Sequence, residues 1–263
     1  MTLTRRFALL AMSTALTVGV ALPAAADLAQ IKEAGVIRIA VAMGIPQYSY
    51  IDGNMQPTGS DVETAKMLAE DLGVKLELIE ITNAARVPTV QTGKADLVVS
   101  ALGITDERKK AIDFSVPYAT LALVVAAPPE IEIKDYADLT GKRIALTRAT
   151  TNDQDITANT EGAEILRFED DATLITSVVS GQVDIISSQS AVIGGINDRR
   201  SAGPIEIKFI QKETNLGVGL AQGNPELLAW VNDWVVTNYE NGRLREVFKT
   251  YQFRDLPDDL TSR

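Results

Sequence analysis

The 263-residue chain has no cysteine and no histidine. Without cysteine there is no disulfide and no lipid-anchored N-terminal cysteine. Without histidine the commonest general base is gone, and with it a Ser-His-Asp triad and the usual zinc sites. Positive charge is also short. Lys and Arg number 25 against 35 Asp and Glu, a formal net charge of −10. That balance argues against nucleic acid or an anionic membrane surface as a partner. The Asp/Asn spacing of a calcium loop does not occur, and the sequence calls for no metal and no cofactor. No apolar run is long enough to span a bilayer; the run at 7–20 is too short.

That short run has a context. Arg5 and Arg6 precede it and Ala24, Ala25 and Ala26 follow it, the layout of a cleavable secretion signal over residues 1–26. The arginine pair alone is weak evidence for a twin-arginine route, and the general secretory route is the favoured reading. Cleavage removes both arginines and no acid, so the remainder is more acidic still. The expected product is a free, monomeric protein in a Gram-negative periplasm.

From residue 27 the pattern alternates helices and strands. A helix over 27–34 stops at Gly35, and β-branched residues at 36–42 make a strand. Ser60, Asp61, Val62 and Glu63 spell a capping box, with Val62, Ala65, Ala69 and Leu72 at helical spacing and Gly73 as the stop. Strands follow at 74–81 and 96–99 around a helix that carries Pro88. This β-α-β-α-β order predicts an α/β, doubly wound unit. The second half repeats the logic. It has strands at 143–147, 165–168, 183–187 and 205–210, a helix capped by Asp171, and another over 190–196. Helices at 226–237 and 242–251 close the chain, and the tail after Pro257 reads as mobile. The apolar segments 118–127 and 216–221 fit two crossings between lobes, one lobe being 27–122 with 215–263 and the other 123–214.

Residues 100–118, SALGITDERKKAIDFSVPY, carry the chemistry. Thr105 is placed to cap a helix, and Asp106 and Glu107 suit its first turn. Arg108 does not, unless it shares an anion with free backbone N–H groups. Two readings follow: a guanidinium able to fork onto a carboxylate, or a surface arginine paired with an acid.

The phrase GKADLVVSALGITDERKKAIDFSVPY resembles the signature of the polar-amino-acid solute-binding proteins of ABC importers, family 3, type II. Gly93, Lys94, Asp96, Ile104, Thr105, Glu107, Arg108, Asp113, Phe114, Ser115, Pro117 and Tyr118 carry the match. The resemblance implies two doubly wound lobes joined by two crossover strands, a small carboxylate held between them, and an ABC permease in the inner membrane as partner. It implies ligand contacts from Ser100, Ala101, Gly103, Thr105 and Arg108 on one lobe. From the other come Thr150, Thr151 and Asn152 at a helix start. Tyr48 and Asn83 would line the side-chain end, although Tyr48 fits the core equally well. Arg86 and Arg148 lie near these loops and read more naturally as structural ion-pair partners.

The chain also departs from the family pattern. Ala42 and Ile45 stand where an acid and an aromatic are usual, Asn83 where an aromatic is common, Gly103 for a threonine and Ala149 for a glycine. Gln189 stands where an acid usually meets the ligand's α-ammonium. The carboxylate end of the site is therefore the better supported. The ligand is then an amino acid whose ammonium another acid such as Asp153 meets, or a carboxylate with no free α-ammonium. A dehydratase-like enzyme on the same fold would need a tuned acid in the cleft, for which Asp153 or Asp155 could serve. The reading taken is a binding protein, not an enzyme, and a soluble partner of a sensor is the remaining alternative.

Overall fold

Asp27 opens the first helix by a reciprocal bond pair. Its carboxylate accepts from the Gln30 amide at 2.8 Å, and the Gln30 side chain accepts from the Asp27 amide at 3.0 Å. The structure is a computed structural model and describes residues 27–263, so the expected secretion signal lies outside the described residues. The first lobe runs through α1 (Leu28–Ala34), β1 (Val36–Ala42), the hairpin β2 (Tyr50–Ile51) and β3 (Pro57–Thr58), α2 (Ser60–Leu72), β4 (Lys75–Ile81), α3 (Arg86–Gln91), β5 (Leu97–Val98), α4 (Asp106–Lys109) and β6 (Asp113–Phe114). The chain then crosses on β7 (Ala119–Ala127). The second lobe holds β8 (Arg143–Thr147), α5 (Thr151–Asn159), β9 (Glu164–Phe168), α6 (Asp171–Val179), β10 (Ile186–Gln189) and α7 (Ser190–Asn197). It returns on β11 (Glu206–Leu216) to β12 (Gly219–Leu220), α8 (Pro225–Glu240) and α9 (Arg243–Gln252).

Each lobe is built on one five-stranded sheet. Their strand orders are β4-β1-β5-β12-β6 and β11-β7-β10-β8-β9. In the first, β1 runs parallel to β4 and β5, while β12 returns antiparallel. In the second, β8 is parallel to β9 and β10, and β7 is antiparallel to β10. Side-chain packing changes allegiance inside β7: Leu123 belongs to the first lobe's core, and Val124 to the second's.

Four features differ from the sequence pattern. The capping box at Ser60 does not form: Gly59 is the N-cap, the Glu63 amide donates to the Gly59 carbonyl at 2.9 Å, and the Ser60 amide donates to the Gln47 carbonyl at 2.9 Å. Asp61, between them, turns its side chain inward, where it is fully buried. Second, Asp170 rather than Asp171 caps α6, accepting from the Thr173 amide at 2.8 Å. Third, the return crossing is β11 and not 216–221. Its residues pair with β7 from Ala119↔Leu216 to Ala127↔Glu206, so the ladder makes a strand of the polar run Gln211–Asn215 that apolar pattern alone does not mark. Last, the tail after Pro257 is packed. Leu256 and Leu260 are buried in the first lobe's core, which gives that segment the apolar anchorage a mobile terminus lacks.

Candidate functional site

Strand ends and helix starts of both lobes converge on one cavity. It is lined by Ile45, Asn83, Arg86, Ala101, Leu121, Leu123, Thr147, Thr150, Thr151, Asn152, Asp171, Ser187, Ser188 and Gln189. As the lobes stand the cavity is narrow, with about 20 Å³ of space for a water-sized occupant. Clefts at the carboxyl ends of strands in open α/β sheets are where such folds place ligands. Among the described lining residues the apolar ones are Ile45, Ala101, Leu121 and Leu123, and none is aromatic.

The helix α5 brings its amino end to this cavity. Thr150 is the N-cap; its hydroxyl accepts from the Asp153 amide at 3.2 Å and donates to the Thr147 carbonyl at 2.7 Å. The Thr151 and Asn152 amides donate to no acceptor among the described residues, as the first amides of a helix usually do not. With the helix dipole they form a site favourable to an anion. The Asn152 side chain is held by the Ser187 hydroxyl at 2.9 Å and the Ser188 carbonyl at 3.1 Å.

Arg86 faces the cavity from the first lobe. Its guanidinium donates to the carbonyls of Asn83 at 2.9 Å, Ser100 at 3.0 Å and, across the cleft, Ala149 at 3.4 Å. It makes no ion pair among the described residues, which corrects the ion-pair reading of this arginine. Its reason is local: the loop carbonyls at 100 and 101 turn inward, and Arg86 is the donor set that satisfies them. Burial lowers its pKa to about 10, with Asp171 and Asp61 opposing the shift. Arg148, by contrast, is exposed and paired with Glu169 at 3.0 Å.

Arg108 does not line this cavity. It donates to the carbonyls of Gly103 at 2.8 Å and Ala149 at 3.0 Å and to the Thr151 hydroxyl at 3.3 Å. The guanidinium is turned onto the Gly103 carbonyl of its own loop and onto Ala149 and Thr151 of the opposite lobe, and Arg108 lines the adjoining groove with Glu107 and Gln154. Burial first, and then the charge of Arg86, lower its pKa to about 9. The acceptor both arginines share, Ala149, has left-handed backbone (φ 57°), the position where the resemblance leads one to expect glycine.

The other expected contacts divide. Ala101, Thr150, Thr151, Asn152, Gln189 and Asn83 reach the cavity. Ser100 is fully buried behind it, its hydroxyl accepting from the Ala42 amide at 2.7 Å. Thr105 caps α4 and lines a separate groove with Thr214 and Asn215. Tyr48 is 1 % exposed and belongs to the core beneath the loop, where its neighbour Ile45 takes the cavity-facing place. Gly103 touches the second lobe instead of the cavity. A Cβ on it would lie 2.6 Å from Thr151 Oγ1 and 2.7 Å from Thr214 Cγ2.

Asp171 is a residue that sequence reasoning misplaced. It is buried, and it accepts from Asn83 Nδ2 at 2.7 Å and from the Thr147 hydroxyl at 3.1 Å. Burial raises its pKa, against the pull of Asn83, Arg86 and Thr147. The doublet Asp170-Asp171 was the available signal, since one helix start needs only one cap. Asp153 is not available to a ligand ammonium: it pairs with Arg167 at 2.8 Å and accepts from the Ala149 amide at 3.0 Å, outside the lining. Asp155 is likewise committed elsewhere, to Tyr136, Gln211 and Lys212.

Comparison with known proteins adds an independent line. The profile of the bacterial extracellular solute-binding proteins, family 3, matches residues 37–254. The chain is 27 % identical to the L-cystine-binding protein TcyJ of Escherichia coli over 251 residues, covering 93 % of this chain and 94 % of that one. Among solved structures, the solute receptor for L-cysteine of Neisseria gonorrhoeae is 31 % identical with a TM-score of 0.79, over 86 % of this chain and 93 % of the other. The ancestral amino acid-binding protein AncCDT-1, a precursor of cyclohexadienyl dehydratase, is 32 % identical with a TM-score of 0.78, over 85 % and 98 %.

Proposed function

The chain belongs to the bacterial extracellular solute-binding proteins, family 3, and from that membership we propose that it is the periplasmic binding component of an ABC importer. It holds an amino acid or a related small carboxylate in the cavity between its lobes and delivers it to a permease in the inner membrane. The observation that carries the ligand class is the pairing of a buried guanidinium with free helix-end amides. Arg86 stands on one wall and the Thr151 and Asn152 amides on the other. An anion between them would be met from both lobes, which links binding to closure. An enzymatic reading needs an uncommitted acid in the cavity. Asp171 is the carboxylate among the described lining residues, and its bonds to Asn83 and Thr147 across the cleft favour a structural role over a catalytic one.

A thermal-shift screen of amino acids and small carboxylates tests this. A ligand at a hundredfold excess over Kd stabilises the folded form by about 2.7 kcal/mol. For a protein of this size that raises Tm by several degrees. A screen in which no carboxylate shifts Tm overturns the reading.

A further inference from the structure

We propose that the cavity selects a carboxylate whose remaining polar groups are uncharged N–H or O–H donors, such as a 2-hydroxy acid or an N-carbamoyl or N-acyl amino acid, in preference to a zwitterion. The inference rests on the reading above that this cavity binds a carboxylate.

Charge gives the first argument. Arg86 and Arg108 are 3 % and 6 % exposed, and both donate to the one Ala149 carbonyl. Neither has a carboxylate within 4.0 Å among the described residues. Arg108 lies outside the lining, where Glu107 opposes its charge; Arg86 faces the lining carboxyl of Asp171 and, behind it, the buried carboxyl of Asp61, and burial works against ionisation of both acids. Arg86 is therefore left short of full countercharge, and desolvated charge without a full partner is expensive. A monoanion restores balance at the site. A zwitterion adds no net charge and leaves the surplus in place.

The acceptors give the second argument. Asn83 Oδ1 and Gln189 Oε1 are buried with no hydrogen-bond partner, and both side chains line the cavity at 4 % and 7 % exposure. The orientation of Asn83 follows from its neighbour. Its amide nitrogen donates to Asp171 Oδ2 at 2.7 Å, so the oxygen is the free end. Two orphaned neutral carbonyls are matched by N–H or O–H donors on the ligand. They supply no countercharge to an ammonium. The carboxylate that could, Asp171, already accepts from Asn83 and Thr147 and faces Arg86, so an ammonium would compete with the guanidinium for it.

The test is isothermal titration calorimetry of the whole protein with the standard amino acids, each beside its N-carbamoyl, N-acetyl and 2-hydroxy counterparts. We expect the tightest uncharged-donor analogue to bind at least tenfold tighter than its parent amino acid. In Gln189→Asp, which adds a carboxylate at the second orphaned acceptor, that ratio falls at least tenfold. An analogue advantage of less than tenfold in the wild type overturns the inference while leaving the carboxylate reading intact. Failure of every compound to bind overturns both.

Discussion

Asp61 shows what one buried side chain does for the site without touching it. Its carboxylate accepts from the Ala101 amide at 2.6 Å and the Tyr118 hydroxyl at 2.8 Å, and so fixes the loop that presents Ala101 to the cavity. Burial raises its pKa from 3.8 to about 7, against the opposing pull of those two bonds and of Arg86. The folded state therefore binds this proton over a range where the unfolded chain has released it. Stability from this group is fullest below about pH 4 and is lost as pH rises toward about 7. A difference of one in pKa is worth about 1.4 kcal/mol, so the loss amounts to a few kcal/mol. Asp61→Asn keeps an acceptor for the Ala101 amide and removes the titration; the bond to Tyr118 reverses, the Asn amide donating to the hydroxyl oxygen. In urea melts from pH 4 to pH 7, wild-type stability should fall relative to the variant. A constant difference between the two would remove Asp61 as the source. The sequence pattern marked Ser60 to Glu63 as a capping box with Asp61 inside it, because composition cannot show that the Gln47 carbonyl takes the Ser60 amide and the Gly59 carbonyl the Glu63 amide.

Among the elements, those fixed by periodicity were readable in advance. β1, β8 and α8 announce themselves through β-branched runs or an apolar stripe. Gly35 (φ 66°) and Gly73 (φ 75°) end α1 and α2 where a left-handed residue is needed. β11 was not readable in full, since its lobe-to-lobe half is specified by pairing with β7 and not by its own polar residues. The candidate site was legible in a similar part. Helix starts and loop residues such as Thr150, Asn152 and Asn83 could be located from spacing and resemblance. The roles of Arg86, Arg108 and Asp171 could not, because they depend on which carbonyl or amide faces them across the cleft. Gly103 makes the point sharply. Its backbone is not left-handed, so the glycine is needed for approach: Thr151 at the start of α5 sits where its Cβ would be. Gly103→Ala should wedge the lobes apart, weakening ligand binding about tenfold or more while changing unliganded stability by less than about 1 kcal/mol. Calorimetry showing an unchanged Kd would mean the cleft closes without this contact.

At the scale of the whole molecule, the lobes are joined by the β7–β11 ribbon and meet again across the cavity mouth. The second set of contacts is polar: Asn83 with Asp171, Arg108 with Ala149 and Thr151, and Glu107 with Gln154 at 2.9 Å. On the proposed closing motion such contacts would form only when the lobes come together, and would stabilise the closed state and not either lobe alone. A ligand can shift the equilibrium only by its preference for that state. Removing a closing contact therefore lowers affinity even where the residue never touches the ligand. Arg108→Ala deletes a charge-assisted clasp, a loss of roughly 1.5–3 kcal/mol, or about ten- to a hundredfold in Kd. Gln154→Ala removes only an exposed bond and should cost about threefold or less. The pair separates closure from direct contact when scattering is read beside calorimetry. With a ligand identified by thermal shift, wild-type protein should compact at saturation. Arg108→Ala should reach the same compact form only at proportionately higher ligand concentration. A variant that compacts at the wild-type concentration, with unchanged Kd, shows that Arg108 does not hold the lobes together. A variant that binds weakly and stays extended at its own saturation shows that the clasp is required to reach the closed form at all.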